Sequence, residues 1–506
     1  MNKKYEVAII GAGISGSALA YELARYTDIK SICILEKYDD IATLNSSEKA
    51  NSQTIHFGDI ETNYTFEKAI LTKQAAKMVE KYCLQYNLEN EVIFSHQKMA
   101  LGIGDKEVEF MLERYEEFKS LFPNLQVWTK EDLKKIEPRL IYDFDHKERK
   151  ERIVGVGSIG EWTTVNYKKM SISLIENAKR EKNKQVDLFT NSEVLDITKL
   201  ENQFLLTTKD KKIYADFVVV NAGAHSLYLA HKMGYGLDYS CLPIAGSFYM
   251  TVKKILNGKV YMVQNPKLPF AALHGDPDVA QNGNTRFGPT ALVLPKLERY
   301  KNGTYLDFFK TLRFDRVILK IFTDLLKDSD IRNYIFKNIL FEIPIINKYL
   351  FIQDARKIIP SLKMSEIKYA KNFGGVRPQV LDKNKQKLML GEASINSGDG
   401  IIFNMTPSPG ATSCLANAKR DILQIVKFLN KNFNYEKFEN ELIDKEHFDE
   451  VKINDENHKL FMSKIREEIR LFEEKYYYSS SYTEDLPDYW EKPYSPWRNK
   501  RDHWSF

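Results

Sequence analysis

Residues 5–36 read YEVAIIGAGISGSALAYELARYTDIKSICILE. The apolar YEVAII predicts a strand, GAGISG a tight turn, SALAYELARY a helix and SICILE a second strand, so the stretch predicts one βαβ unit. Gly11, Gly13 and Gly16 form G-x-G-x-x-G, and Glu36 follows Gly16 by twenty residues at the end of the next strand. The first glycine permits the turn, and the second lets backbone N–H groups approach a pyrophosphate. The third lets the helix pack on the strand with its N-terminus facing phosphate charge. Glu36 is placed to accept hydrogen bonds from an adenosine ribose. A purely structural glycine turn is the alternative, but strand, helix and acid at the expected distance together favour a nucleotide. An acid at 36 disfavours a 2′-phosphate, which makes NADP the poorest fit and leaves FAD and NAD open.

Outward from this unit, the chain has 506 residues, too many for a single core, so two or more domains are expected. Hydrophobic residues at 43% and charged residues at 28% predict a globular chain. Lys plus Arg number 74 against 69 Asp plus Glu, too even a balance for a nucleic-acid partner. Cys33, Cys83, Cys241 and Cys414 are far apart, with no CxxC pair and no His cluster, so neither disulfides nor a metal centre is expected and a reducing compartment fits. The residues before the first apolar run do not read as a signal peptide. No run reaches the ~20 apolar residues of a membrane span; 335–352 is interrupted by Lys337, Asn338, Glu342, Pro344, Asn347 and Lys348. Any membrane contact is expected to be peripheral.

Further along, helical periodicity covers 68–88 and 108–122, with a strand near 99–103 between them. Strand-like runs follow at 185–198 and 204–208. Residues 215–221 (ADFVVVN) read as a fully buried parallel strand ending in Asn-Ala-Gly. Residues 241–295 carry extended segments, 304–340 turn helical, and IIFNM (401–405) runs through a Pro/Gly loop into a helix. Phe461, Ile465, Ile469 and Phe472 share one face of a predicted docking helix, ahead of a Tyr/Trp-rich C-terminal tail.

KANSQTIHFGDIETNY (49–64), NEVIFSHQKMALGIGD (90–105), YSCLPIAGSFY (239–249), VQNPKLPFAALHGDPD (263–278), FGPTALVLPKLER (287–299), FGGVRPQVLD (373–382) and FNMTPSPGATSCLANA (403–418) together resemble the malate:quinone oxidoreductases of epsilonproteobacterial type, over roughly residues 5–435. The resemblance implies an α/β fold: a glutathione-reductase-like FAD-binding Rossmann domain from discontinuous segments (1–80, 150–225 and 375–435). With it go an α+β substrate domain with a mixed or antiparallel sheet (81–149 and 226–374) and a C-terminal extension (436–506). It implies FAD, with Gly11, Ala12, Gly13 and Gly16 at the pyrophosphate, Glu36 at the ribose, Val194 against adenine, and Ser15 and Lys37 among the cofactor-binding residues. Ser52, Gln53, Asn221, Ala222, Gly223 and Gly375 come close to the cofactor. The turn Pro409-Gly410-Ala411-Thr412 aims a helix N-terminus at the flavin pyrimidine, where reduction leaves negative charge.

The implied reaction is (S)-malate to oxaloacetate, with electrons passed to a membrane quinone in the tricarboxylic acid cycle and respiratory chain. A 2-hydroxy acid needs a cation for its carboxylate, a base for its hydroxyl proton and a hydride acceptor at ~3–3.5 Å. Arg377 in GGVRP suits the carboxylate, with a surface salt bridge as its alternative. Gln53, Lys98 and Arg286 are the candidates for malate's second carboxylate. His56 and His274 are the candidate bases, each with a structural role as alternative, and Asp276 could orient His274. L-lactate and L-2-hydroxyglutarate remain rival substrates, oxygen a rival acceptor, and partner binding through the tail a rival function. Residues 296–327 hold eight Lys/Arg against four Asp/Glu among Leu, Phe, Ile and Val. They predict a basic amphipathic helix that either lies on the cytoplasmic face of an anionic membrane or packs on the substrate domain.

Overall fold

The strand–turn–helix–strand reading of the N-terminus holds. Lys3–Ile10 forms a strand, Ile14–Tyr26 a helix and Ser31–Leu35 the next strand in a computed structural model that describes residues 3–264, 273–343, 346–389 and 391–444. Lys3–Ile10 lies between Ser31–Leu35 and Lys212–Val220, parallel to both. Gln185–Phe189 and Ile401–Met405 extend the sheet on either side in the same direction, and Ala393–Asn396 closes one edge antiparallel. Phe204–Thr207 and Asp196–Lys199 branch from Lys212–Val220. The central strands read as continuous apolar runs because both faces are covered. Val7, Ile9, Ile32 and Val219 pack under the helices Ile14–Tyr26, Tyr167–Arg180 and Cys414–Leu429. Ala8, Cys33, Val218 and Val220 pack on the other side against the helix His225–Lys232 and the strand Tyr239–Ala245.

A second sheet of eight strands runs in the order Ile367–Tyr369, Tyr249–Thr251, Thr285–Gly288, His274–Pro277, Lys259–Met262, Lys98–Ile103, Ile153–Ser158, Gln126–Trp128. Its only parallel pairing is Lys259–Met262 with Lys98–Ile103. The helix Asn347–Ile358 covers it, with Phe351 stacked on Tyr249 at 3.8 Å between ring centroids. A smaller antiparallel sheet joins Tyr239–Ala245 to Val376–Asp382 and so ties the two regions together.

Two expectations need correction. Ile153–Ser158 was expected within the nucleotide segment 150–225, but it pairs with Lys98–Ile103 in the second sheet. Its alternating glycines permit this, since a Cβ at Gly157 would stand 2.0 Å from the Lys98 carbonyl oxygen. The stretch 296–327, expected as one helix, divides into Tyr305–Leu312 and Arg316–Lys327 at Arg313, whose φ of +45° ends the first helix. The described chain ends after a helix, Tyr435–Leu442, held by Glu441 against Arg25 at 2.6 Å. The docking helix with Phe461 and the aromatic tail lie outside the described residues. Among the described residues no helix is long and apolar enough to cross a membrane.

Candidate active site

A cavity of about 780 Å³ runs from the glycine turn to Arg377. At the end formed by the glycine turn, Gly11 has φ +104°, and a Cβ there would stand 2.4 Å from the Asn221 carbonyl oxygen. The two strand ends touch, so the Asn221-Ala222-Gly223 turn and the glycine turn share one rim. Gly16 packs behind that rim, where a Cβ would meet the Gly11 oxygen at 2.0 Å. Glu36 is buried and accepts from the Ala12 and Tyr38 backbone N–H groups at 2.8 and 3.0 Å. Burial pushes its carboxyl up, with those backbone donors opposing. The Ser192 N–H bonds the Glu36 carbonyl at 2.8 Å, which brings Val194 to the same rim.

Gly11, Gly13, Ser15, Glu36, Lys37, Ser52, Gln53, Val194, Asn221, Ala222, Gly223, Gly375, Pro409, Gly410 and Ala411 all line the cavity. Ala12, Gly16 and Thr412 stand behind its wall, where Thr412 Oγ1 accepts from the His56 backbone N–H at 3.1 Å. Asn45 clamps Val376 by two bonds, of 2.9 and 3.0 Å, which fixes the Gly375–Arg377 strand against the Ser/Asn-rich loop.

At the other end the cavity meets His56, His274 and Arg377. His56 Nδ1 bonds Glu61 Oε1 at 2.6 Å, and Glu61 Oε2 accepts the Gly58 N–H at 2.8 Å. Burial would raise the Glu61 carboxyl, but His56 and that amide hold it below the usual carboxylate range. His274 stacks on Tyr261 with ring centroids 4.3 Å apart. Its Nδ1 lies 2.6 Å from Asp276 Oδ2, a close pairing of imidazole and carboxylate. Burial lowers the His274 pKa against the pull of Asp276. Arg377 is likewise held below the usual arginine range by burial.

The second-carboxylate candidates fare differently. Lys98 is 1% exposed and paired with Asp59 at 2.7 Å and Glu161 at 3.1 Å, and Arg286 is fully buried against Asp278 at 3.1 Å. Neither lines the cavity, because each neutralises carboxylates in the interior. Gln53 does line it, but its amide is spent, donating to Asp278 at 3.1 Å and accepting from the Val279 N–H at 3.1 Å. Glu61, Tyr64, Lys68 and Tyr261 line the cavity without having been singled out. Glu61, five residues after His56, was the one with a legible signal.

Residues 3–469 match the family model described as malate:quinone oxidoreductase (Mqo). A probable malate:quinone oxidoreductase of Campylobacter jejuni is 57% identical over 446 residues, covering 87% of this chain and 99% of the relative. A malate:quinone oxidoreductase of Helicobacter pylori is 50% identical over 447 residues, covering 87% and 98%. Among solved structures, the dithionite-reduced L-alpha-glycerophosphate oxidase from Mycoplasma pneumoniae with FAD bound superposes with a TM-score of 0.58 at 19% identity, over 85% of this chain and 96% of that one. That last likeness is one of fold.

Proposed function

Since this chain belongs to the malate:quinone oxidoreductase family, we propose that it oxidises (S)-malate to oxaloacetate with FAD as cofactor and passes the electrons to a quinone. The observation that carries the reading at the site is a single cavity joining the glycine turn to Arg377 and to a carboxylate-held histidine. The residues suit the cofactor. At Gly11 no side chain stands between backbone and pyrophosphate, a buried acid waits at the ribose end, and the turn 409–412 opens a helix at the flavin end. In this reading the first sheet and its helices form a glutathione-reductase-like FAD-binding part built from separated segments, and the second sheet forms the substrate part.

FAD, when bound, would supply the acceptor for the C2 hydride and the redox centre for onward electron transfer. The protein's own residues do the rest. The Arg377 guanidinium takes the carboxylate beside C2 through a two-pronged donor set. His56 receives the hydroxyl proton: Glu61 holds the Nδ1 proton, which leaves Nε2 as acceptor. His274, with Asp276 2.6 Å from its Nδ1, is the alternative base. The buried rings of Tyr261 and Phe248 give part of the cavity wall an apolar face. The enzyme works at the cytoplasmic face of a membrane that dissolves its quinone. Leu306, Phe309 and Leu319 on two short helices and Phe314 between them, all between 53% and 71% exposed and interspersed with Lys310, Arg313, Arg316 and Lys320, support that placement.

Anaerobic reduction of the purified flavoprotein by (S)-malate, with L-lactate and L-2-hydroxyglutarate alongside, tests the reading. Bleaching by malate and recovery on a soluble quinone are expected, and bleaching only by another acid moves the substrate. His56→Ala should lower the reduction rate by about 10²–10⁴ with flavin still bound. A wild-type rate in that variant removes His56 as base.

A further inference from the structure

We propose that Lys68 binds the second carboxylate of the substrate and thereby selects dicarboxylic over monocarboxylic 2-hydroxy acids. The inference rests on hydroxy-acid oxidation in this cavity and adds the residue that reads substrate class.

A dicarboxylate needs two anionic subsites, and Arg377 fills one. Of the other Lys and Arg side chains lining the cavity, Lys37 is paired with Glu193 at 2.9 Å and Glu298 at 3.2 Å, and Arg299 with Glu342 at 3.1 Å. Lys301 sits exposed over the Tyr38 ring at 5.3 Å. Lys68 lines the cavity and has no ion-pair partner among the described residues. Its ammonium rests over the Tyr64 ring, 4.0 Å from the centroid, which fixes the side chain without neutralising it. The backbone places it equally firmly: Thr65 caps the helix Phe66–Gln85 by accepting from the Lys68 N–H. His56, Glu61 and Tyr64, on the same stretch of chain, also face the cavity, so the base and this cation are carried by one segment. Burial holds Lys68 below the usual lysine range, with the fields of Glu392 and Glu61 opposing. A partly buried ammonium with no counter-ion is a costly arrangement unless something anionic arrives. A substrate carboxylate is such a group, and its arrival restores the charged form.

The experiment uses the flavin-loaded enzyme. Malate-driven flavin reduction is followed in wild type, Lys68→Met and Lys68→Arg, and flavin absorbance changes are titrated with succinate and with butyrate, which share four carbons but differ by one carboxylate. Lys68→Met should raise half-saturating malate at least tenfold and abolish the preference for succinate, and Lys68→Arg should restore much of both. If Lys68→Met loses flavin, the succinate-to-butyrate preference of Lys68→Gln is read on the same terms. Malate saturation within twofold of wild type, with the succinate preference intact, overturns the assignment of Lys68 and leaves the proposed reaction standing. A wild-type flavin that malate does not reduce overturns the reaction itself, and a succinate preference lost in Lys68→Met would then still support Lys68 as a dicarboxylate reader.

Discussion

Glu137 is 1% exposed and accepts three donors on one oxygen: the backbone N–H groups of Asn257 at 2.7 Å and Gly258 at 2.8 Å, and Gln97 Nε2 at 2.6 Å. Burial outweighs those donors and pushes its pKa from 4.5 up to about 7. The folded protein therefore keeps a proton that the unfolded chain has lost. The resulting stability is fully present below about 4.5 and disappears as pH rises through about 7, with an upper bound of about 3 kcal/mol. Glu137→Gln keeps an oxygen acceptor and cannot ionise, so its melting temperature relative to wild type should rise between pH 5 and pH 8. A difference independent of pH would mean that the carboxyl is not shifted. The same physics governs what the sequence disclosed of the site. His56 and Arg377, which line the cavity, stood out in the sequence because TIHFGD and GGVRP are distinctive strings. Lys98 and Arg286 lie outside the cavity lining, since a sequence displays a cation but not the carboxylate that folding places beside it, here Asp59 and Asp278. Lys68 went unnoticed for the converse reason, since the absence of a partner is visible only in three dimensions.

At the scale of elements, the glycine turn is a packing device as well as a binding one. Gly16→Ala would drive a Cβ to 2.0 Å from the Gly11 oxygen and push the helix Ile14–Tyr26 off its strand. Overpacking of this kind costs about 1–3 kcal/mol, and it moves the N–H groups meant for the pyrophosphate. The variant should purify with a lowered flavin-to-protein absorbance ratio and a lower melting temperature. Gly303→Ala, where a Cβ meets nothing within 4 Å, should change neither. Full flavin content in Gly16→Ala would refute the role given to this turn. The elements that sequence periodicity revealed are those whose pattern is local: Lys3–Ile10, Lys212–Val220, Ile401–Met405 and the helix Phe66–Gln85. What stayed hidden depends on distant chain. One partner of Ile153–Ser158, Lys98–Ile103, is distant in sequence, and the break at Arg313 is a backbone turn that no apolar spacing announces. The helix Asn347–Ile358 was masked because Lys348 and its polar neighbours interrupt the apolar run while Phe351, Ile352 and Ala355 face inward.

At the scale of the whole molecule, the acceptor poses a geometric problem, because a quinone dissolved in lipid must reach electrons held inside a chain with no membrane-crossing helix among its described residues. The proposed solution is that one wall of the cavity also meets the bilayer. Tyr300, Lys301 and Asp307 line the cavity, and Asp307 belongs to the helix Tyr305–Leu312, which exposes Leu306 by 71% and Phe309 by 59%. Arg316–Lys327 follows and exposes Leu319 by 53%, burying only Ile318 and Ile321 of its apolar residues. Lys310, Arg313 and Lys320 accompany these side chains, and each basic group near an anionic surface contributes about 1 kcal/mol. Reversing all three to Glu should thus weaken sedimentation with anionic vesicles by more than a hundredfold at low salt, on the order of 3 kcal/mol. Turnover with a soluble short-chain quinone should be unaffected, because the cavity wall keeps its shape, whereas turnover with a vesicle-embedded quinone should fall with binding. Raising the salt should produce the same separation in wild type. If the triple variant sediments as wild type does, the bilayer meets another face of the molecule, and the apolar exposure of these helices then calls for a protein partner instead.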